Sequence, residues 1–249
     1  MKKLSLMSLI ICFVISSGNA QTIDDLLLMS EEFPPYNYTE KGNLKGTSID
    51  LVVLMLEKLH SKQTRDDIHM LPWARSYRIL VNTKNTALFA VTRTAKREKQ
   101  FKWVGPISNA RNVLIARKDA ALKIRTAEDI QHYQVGAVRD DAGQQLLISK
   151  VNLNKDDIVI AHSATMCVLM LSKKRIDLFA YDENVTKWLI KKENLNLEDY
   201  ETVYVLEEGL HYIALHIDTP DTLITRMQSV LDEIKESGEH DSILDRYLK

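Results

Sequence analysis

The amino-acid sequence predicts an α/β protein of two lobes built on largely parallel sheets. Three observations predict it. Short apolar runs alternate with stretches of helical spacing along most of the chain, which is the pattern of strand–helix–strand units. The alternation comes in two sets, and no long Gly-, Pro- or Ser-rich linker separates them, so the lobes are expected to share short crossing strands. A long amphipathic helix then closes the chain.

The elements follow in order. Leu26-Leu27-Leu28-Met29 reads as a short buried strand. Gly46-Thr47-Ser48 offers a helix start, and Ile49 to Leu59 has helical spacing with Asp50 in its first turn, where a carboxylate meets the positive end of the helix dipole. Ile68 to Leu71 is a strand. Pro72 suits the helix start that follows, with Trp73 to Val81 as the helix. Ala87 to Thr92 and Asn112 to Arg117 are further extended runs.

In the second set, Thr126-Ala127-Glu128-Asp129 resembles a capping box before a short helix. Strands are expected over Gln134–Val138, Ile158–His162, Ile176–Tyr181 and Val203–Leu206. Helices are expected over Ala142–Ser149, Thr165–Lys173 and Asn184–Lys192. In the tail, Thr219 is read as the cap, Pro220 as the first helical residue and Gly238 as the stop. Leu223, Ile224, Met227, Val230, Leu231 and Ile234 fall on one face of that helix, and a shorter helix carries Ile243, Leu244, Tyr247 and Leu248.

The composition is that of an ordinary globular protein: 249 residues, 45% hydrophobic, 27% charged, with 33 Lys+Arg against 34 Asp+Glu. It excludes a disordered tail, a collagen-like repeat and a disulfide-framework mini-protein, and with no basic excess it speaks against wholesale nucleic-acid binding. Residues 1–20 have the layout of a secretory signal peptide. Met1-Lys2-Lys3 is charged, Leu4 to Ile15 is mostly apolar, and Gly18 and Ala20 stand at the −3 and −1 positions of a cleavage site. The apolar run is shorter than the roughly 20 residues a membrane span needs. The expected location is therefore the periplasm.

Cleavage would leave Cys167 as the one cysteine, in an apolar helical run where it reads as a buried small hydrophobe. The seven histidines are scattered and none pairs with Cys167 at ligand spacing, so no metal and no cofactor are expected. G-x-S-x-G, Walker A, G-x-G-x-x-G and H-E-x-x-H are all absent. Polar recognition remains, and no enzyme activity is expected.

Four segments carry a family resemblance. They are Glu32-Phe33-Pro34-Pro35-Tyr36-Asn37-Tyr38 with Gly42 to Gly46 and Ile49-Asp50-Leu51; Thr94-Ala95-Lys96-Arg97-Glu98 with Phe101; Arg175 to Asp182; and Leu231 to Gly238 with Ile243 to Leu248. In order and spacing they resemble the bacterial periplasmic solute-binding proteins of the polar amino-acid type, the substrate-binding proteins of ABC transporters (family 3), over nearly all of residues 22–249. The resemblance implies a two-lobed, type II periplasmic-binding-protein-like fold with the ligand cleft between lobes joined by two crossing strands. Residues 22–108 and 210–249 would form lobe one, and 109–209 lobe two.

The resemblance also assigns roles. Arg97 would grip the ligand's carboxylate, a task that suits a planar, permanently charged guanidinium; otherwise it is a surface arginine. Asp182 would accept the ligand's α-ammonium, or it caps the helix from Asn184, with Tyr181 on the same wall. Thr92 would meet the carboxylate, although Ala90 stands where the family often has a serine. Phe33 and Trp73 map near positions that sandwich the ligand side chain, and both equally suit core packing. Arg75 reaches the cleft or stays in solvent. Arg139 and Asp140, followed by Asp141, replace the family's small-residue loop; if they face the cleft, the ligand is not a standard α-amino acid.

The implied function is capture of a small zwitterionic or carboxylate-bearing, amino-acid-like solute by a monomer. Delivery would be to an inner-membrane ABC permease or to a sensor or chemoreceptor. The alternative on the same fold is a prephenate-type (cyclohexadienyl) dehydratase, in which a cleft carboxylate serves as general acid.

Overall fold

The computed structural model describes residues 22–248; the expected signal peptide and Cys12 lie outside the described residues. Two lobes share one eight-stranded sheet. In the first lobe β1 (Leu27–Ser30), β4 (His69–Met70) and β5 (Thr86–Thr92) run parallel. A hairpin of β2 (Tyr38–Glu40) and β3 (Asn43–Lys45) stands apart. In the second lobe β7 (Val135–Val138), β8 (Ile158–Ala161) and β9 (Leu178–Asp182) run parallel.

Two antiparallel strands of 17 residues each, β6 (Phe101–Arg117) and β10 (Tyr200–His216), join the lobes. At about 3.3 Å per residue each is roughly 55 Å long, enough to run through both halves. The last part of β10 pairs with β5 and the last part of β6 with β9, giving the order β4-β1-β5-β10-β6-β9-β7-β8. The expected runs Asn112–Arg117 and Val203–Leu206 are thus pieces of two much longer strands.

Helices cover both faces, so β1, β5, β7 and β9 read as mostly apolar runs rather than alternating ones, while β4 at the edge is half-exposed. β5 is buried at all seven positions. α1 (Thr47–Lys58) and α6 (Asp221–Glu236) press Ile49, Val52, Met55, Leu223, Met227 and Leu231 onto one face of the first lobe. α2 (Trp73–Asn82) covers the other with Trp73 and Leu80 against Met29, Leu88 and Phe101.

In the second lobe α3 (Ala142–Lys150) places Leu146 and Leu147 against Leu178 and Ala180. α4 (Ala164–Ser172) and α5 (Glu183–Lys192) pack Cys167, Val168, Val185 and Ile190 against Phe179 and Tyr181 on the opposite face. Successive residues of β9 therefore feed two different cores.

The tail departs from expectation at its start. Pro220, at φ −58° and ψ 137°, is the cap residue and not the first helical one; the buried Thr219 hydroxyl makes no hydrogen bond. Proline's fixed φ and extended ψ set the entry angle, and Asp221 supplies first-turn negative charge. Gly238, at φ +78°, follows the end of α6 and admits α7 (Glu239–Leu248).

Candidate functional site

The carboxyl ends of β1, β4 and β5 face those of β7, β8 and β9, and the loops leaving them meet between the lobes, where ligands bind in open α/β sheets. A cavity of about 380 Å³ opens there. Its first-lobe wall includes Glu31, Leu71 and Trp73, and its second-lobe wall Val138, His162 and Tyr181. A wider hollow of about 500 Å³ lies inside lobe one, beside α1, α6 and α7. Its acid Asp50 is already engaged, by Arg65 at 2.8 Å, Arg246 at 3.2 Å and the Tyr247 hydroxyl at 2.8 Å.

Arg97 is 1% exposed. A single turn, closed by its amide donating to the Thr94 carbonyl at 2.9 Å, folds it back under β5. One terminal nitrogen donates to the Thr92 carbonyl at 3.1 Å and the other to the Asp140 carbonyl at 3.0 Å. One side chain thereby ties lobe one to lobe two. The guanidinium lies 4.8 Å from the centre of the Trp73 ring and 5.2 Å from that of Tyr77, a cation–π setting. Its Nε is buried without a partner.

Asp140 has φ +59°, a left-handed conformation in which Asp is tolerated better than most residues. Its amide donates to Gln144 and its carbonyl accepts from both Arg97 and Gln145, while the side chains of Arg139 and Asp140 are exposed. Asp141 points inward and caps α3 by accepting from the Gly143 amide at 3.0 Å. Burial pushes its pKa up; Arg97 and the helix amides oppose that rise.

Glu31 is buried as well. Burial pushes its pKa well up, Asp141 adds to the rise, and Arg97 opposes it. Asp182 caps α5, accepting from the Val185 amide at 3.0 Å, and burial pushes its pKa up to about 7. His211 of β10 lies with its Nε2 3.9 Å from an Asp182 oxygen and its Nδ1 3.0 Å from the Ser108 hydroxyl. Burial pushes it down to about 3, so the ring is neutral.

Phe33 and Tyr36 stack at 5.3 Å, and both meet His211 edge-on, at 5.4 and 4.7 Å. Tyr36 accepts from Asn184 of α5 at 3.1 Å and donates to the Asn109 carbonyl at 3.3 Å, a second tie between the lobes.

Of the residues expected from sequence, Trp73 and Tyr181 line the cavity. Arg97, Thr92 and Asp182 are buried and are not among its lining residues. Phe33 sits in the aromatic cluster behind it, and Arg75 is exposed on α2. Sequence reasoning passed over Glu31, Asp141 and His211. Asp141 was findable: an Asp directly before Ala142-Gly143-Gln144 is a helix-cap signal. Among the described residues no cluster of His, Cys, Asp and Glu could hold a metal ion, and no helix is long and apolar enough to cross a membrane.

Two α/β lobes on a paired ribbon, with polar and aromatic groups converging between them, define a two-lobed binding protein. The chain belongs to the bacterial extracellular solute-binding proteins, family 3, whose model matches residues 27–249. It is 23% identical over 261 residues to an arginine-binding periplasmic protein of Mannheimia haemolytica, covering 100% of this chain and 99% of that one.

Among solved structures it resembles an ABC uptake transporter substrate-binding protein from Streptococcus pneumoniae with bound histidine, with TM-score 0.78 and 18% identity over 90% of this chain and 92% of that one. It also resembles a histidine kinase sensor domain similar to periplasmic binding proteins, with TM-score 0.75 and 17% identity over 90% of this chain and 96% of that one.

Proposed function

We propose that the mature chain is a periplasmic binding protein. It captures a small amine-bearing, amino-acid-like solute between its lobes and presents the closed form to an inner-membrane ABC permease or to a sensor. The observation that carries this reading is the 380 Å³ cavity walled by both lobes. A solute touching both walls favours the closed state over the open one by the contacts that only closure makes.

The proposed boundaries, 22–108 with 210–249 for lobe one and 109–209 for lobe two, are supported by the Leu210–Asn109 register pair. It lies where the ribbon's neighbour changes from β5 to β9. In the roles the family suggests, Arg97 and Thr92 face the solute's carboxylate and Asp182 its ammonium. For Arg97 to do so it exchanges the Thr92 or the Asp140 carbonyl for the solute. Relatives named for arginine and histidine binding, and a kinase sensor of the same fold, support an amine-bearing solute and either kind of partner.

The test is a thermal-shift and titration panel of amino acids, amines and dicarboxylates. A ligand at about 100 times its Kd stabilises the folded protein by roughly 2.7 kcal/mol, a Tm rise of about 5–10 °C at this size. Trp73→Ala is expected to abolish the response. A panel without response, or a response that survives Trp73→Ala undiminished, refutes the reading.

A further inference from the structure

We propose that the hollow between the β2–β3 hairpin and α5 is a docking groove for an acidic polypeptide segment of the membrane partner, and that it is whole only while the lobes are closed. Its link to closure rests on the reading of the chain as a lobe-closing binding protein. The hollow has a volume of about 510 Å³ and lies apart from the interlobe cavity, sharing no lining residue with it. Tyr38 and Lys41 of the hairpin form its first-lobe wall, and Trp188, Lys191 and Lys192 of α5 its second-lobe wall.

The charge on these walls is one-sided. Glu40 is the acid in the hollow, and Lys45 already holds it at 2.7 Å. On α5, Lys187 is engaged by Glu183 at 2.9 Å. Lys41, Lys191 and Lys192 are exposed, and among the described residues none of them is in an ion pair. The negative end of the helix dipole accounts for Lys191 and Lys192 in the last turn of α5. It does not account for Lys41, which comes from the other lobe. Lys41 stands in the two-residue turn Lys41-Gly42 with φ +51°. Asparagine or glycine adopts this left-handed backbone more readily, so the fold holds a lysine where the backbone does not favour one and brings its charge to the same hollow.

Between the charges lies a ring surface. Trp188 is half-buried, its ring meets that of the buried Tyr38 at 5.4 Å across the lobe boundary, and the Lys192 ammonium sits 5.1 Å from its centre. Unpaired cations around aromatic rings suit carboxylates carried on a chain whose apolar parts cover the rings. A lipid surface fits less well. It is flat where the hollow is concave, and lipid-binding clusters carry roughly four to eight Lys or Arg, against the three unpaired lysines here. The two walls belong to different lobes, so opening the cleft parts Tyr38 from Trp188 and takes Lys41 away from Lys191 and Lys192. A partner that needs both walls binds the closed form more tightly than the open one.

The probe is a fluorescein-labelled hexaglutamate peptide, titrated with the mature protein at pH 7.5 and read by fluorescence polarisation at about 20 mM and about 200 mM salt. Binding is expected at the lower salt, with at least a tenfold loss at the higher. Lys191→Glu with Lys192→Glu should weaken it at least tenfold, and Lys41→Glu alone at least threefold, with circular-dichroism spectra unchanged. Lys62→Glu with Lys155→Glu, at two exposed lysines outside the hollow, makes the same charge change and should leave the affinity within twofold. A peptide that does not bind, or that binds the Lys41→Glu protein as tightly as wild type, overturns the inference and leaves the solute reading standing. So does lysine-dependent binding to vesicles of one part phosphatidylglycerol to three of phosphatidylethanolamine with the peptide silent. A solute from the thermal-shift panel should tighten peptide binding; a solute that binds and leaves it unchanged overturns the link to closure. A silent solute panel overturns the solute reading alone, and lysine-dependent peptide binding then still supports the groove.

Discussion

Replacing Asp182 with asparagine tests the electrostatics of the site through stability alone. The side-chain oxygen that accepts from the Val185 amide survives the change, so the α5 cap is kept; the other oxygen, which accepts from the Arg111 amide at 3.4 Å, becomes an amide nitrogen, a loss that does not vary with pH, and the ionisable proton goes with it. In the folded protein burial holds this carboxyl near 7, against an ordinary value of 3.8. Between those values the folded state keeps a proton that the unfolded chain has released, so wild-type stability falls as pH rises. The fall begins near pH 4 and is complete above pH 7. Three pKa units correspond to about 4 kcal/mol.

His211 has the opposite sign. Its folded value near 3 lies below the ordinary 6.5, so its contribution is lost as pH falls. His211, Glu31 and Asp141 are present in both proteins, so their own burial contributions cancel and only their coupling to Asp182 enters the difference. The gap in Tm between Asp182→Asn and wild type should therefore shift in the variant's favour from pH 4 to pH 8, by roughly 8–16 °C. A difference constant from pH 4 to pH 8 refutes the reasoning.

Two further outcomes test the packing. Cys167 is fully buried, and burial pushes its thiol up to about 12; a thiol reagent at pH 8 should leave the native protein unlabelled and label it stoichiometrically in denaturant. Gly46 precedes α1 at φ +123°, and a Cβ there would collide with the Tyr36 carbonyl and lie 2.8 Å from the Asn37 amide. Gly46→Ala should cost about 2 kcal/mol or more, measured by denaturant unfolding; a cost under about 0.5 kcal/mol, the level of an ordinary surface substitution, would contradict this account.

The parallel strands and their helices were legible because both sheet faces are covered, which makes each strand a compact apolar run between turn residues. The crossing strands were half legible. Inner and half-exposed positions mix along β6, and Gly105-Pro106 interrupts it, so only its most buried stretch declared itself. Trp73 and Tyr181 stood out as aromatics at element boundaries. Glu31 could not, since Glu31 and Glu32 are indistinguishable side by side; only the turn after β1 buries one and exposes the other. His211 was equally silent, because its neighbours Phe33 and Tyr36, Ser108, and Asp182 come from three distant segments.

The return of the chain to the first lobe sets an order of assembly. The core of that lobe joins Ile23 and Leu26 to Leu231, Ile234 and Ile243, residues from opposite ends of the chain. The two cores of the second lobe are drawn largely from one continuous middle stretch. A ribosome or export channel releases residues from the amino end. The second lobe can therefore close its cores while the first still waits for its final helices, with the apolar face of α1 uncovered. Contacts of long sequence separation form late and leave such surfaces exposed in the meantime. The half of the molecule that begins the sequence is thus the half that finishes folding last.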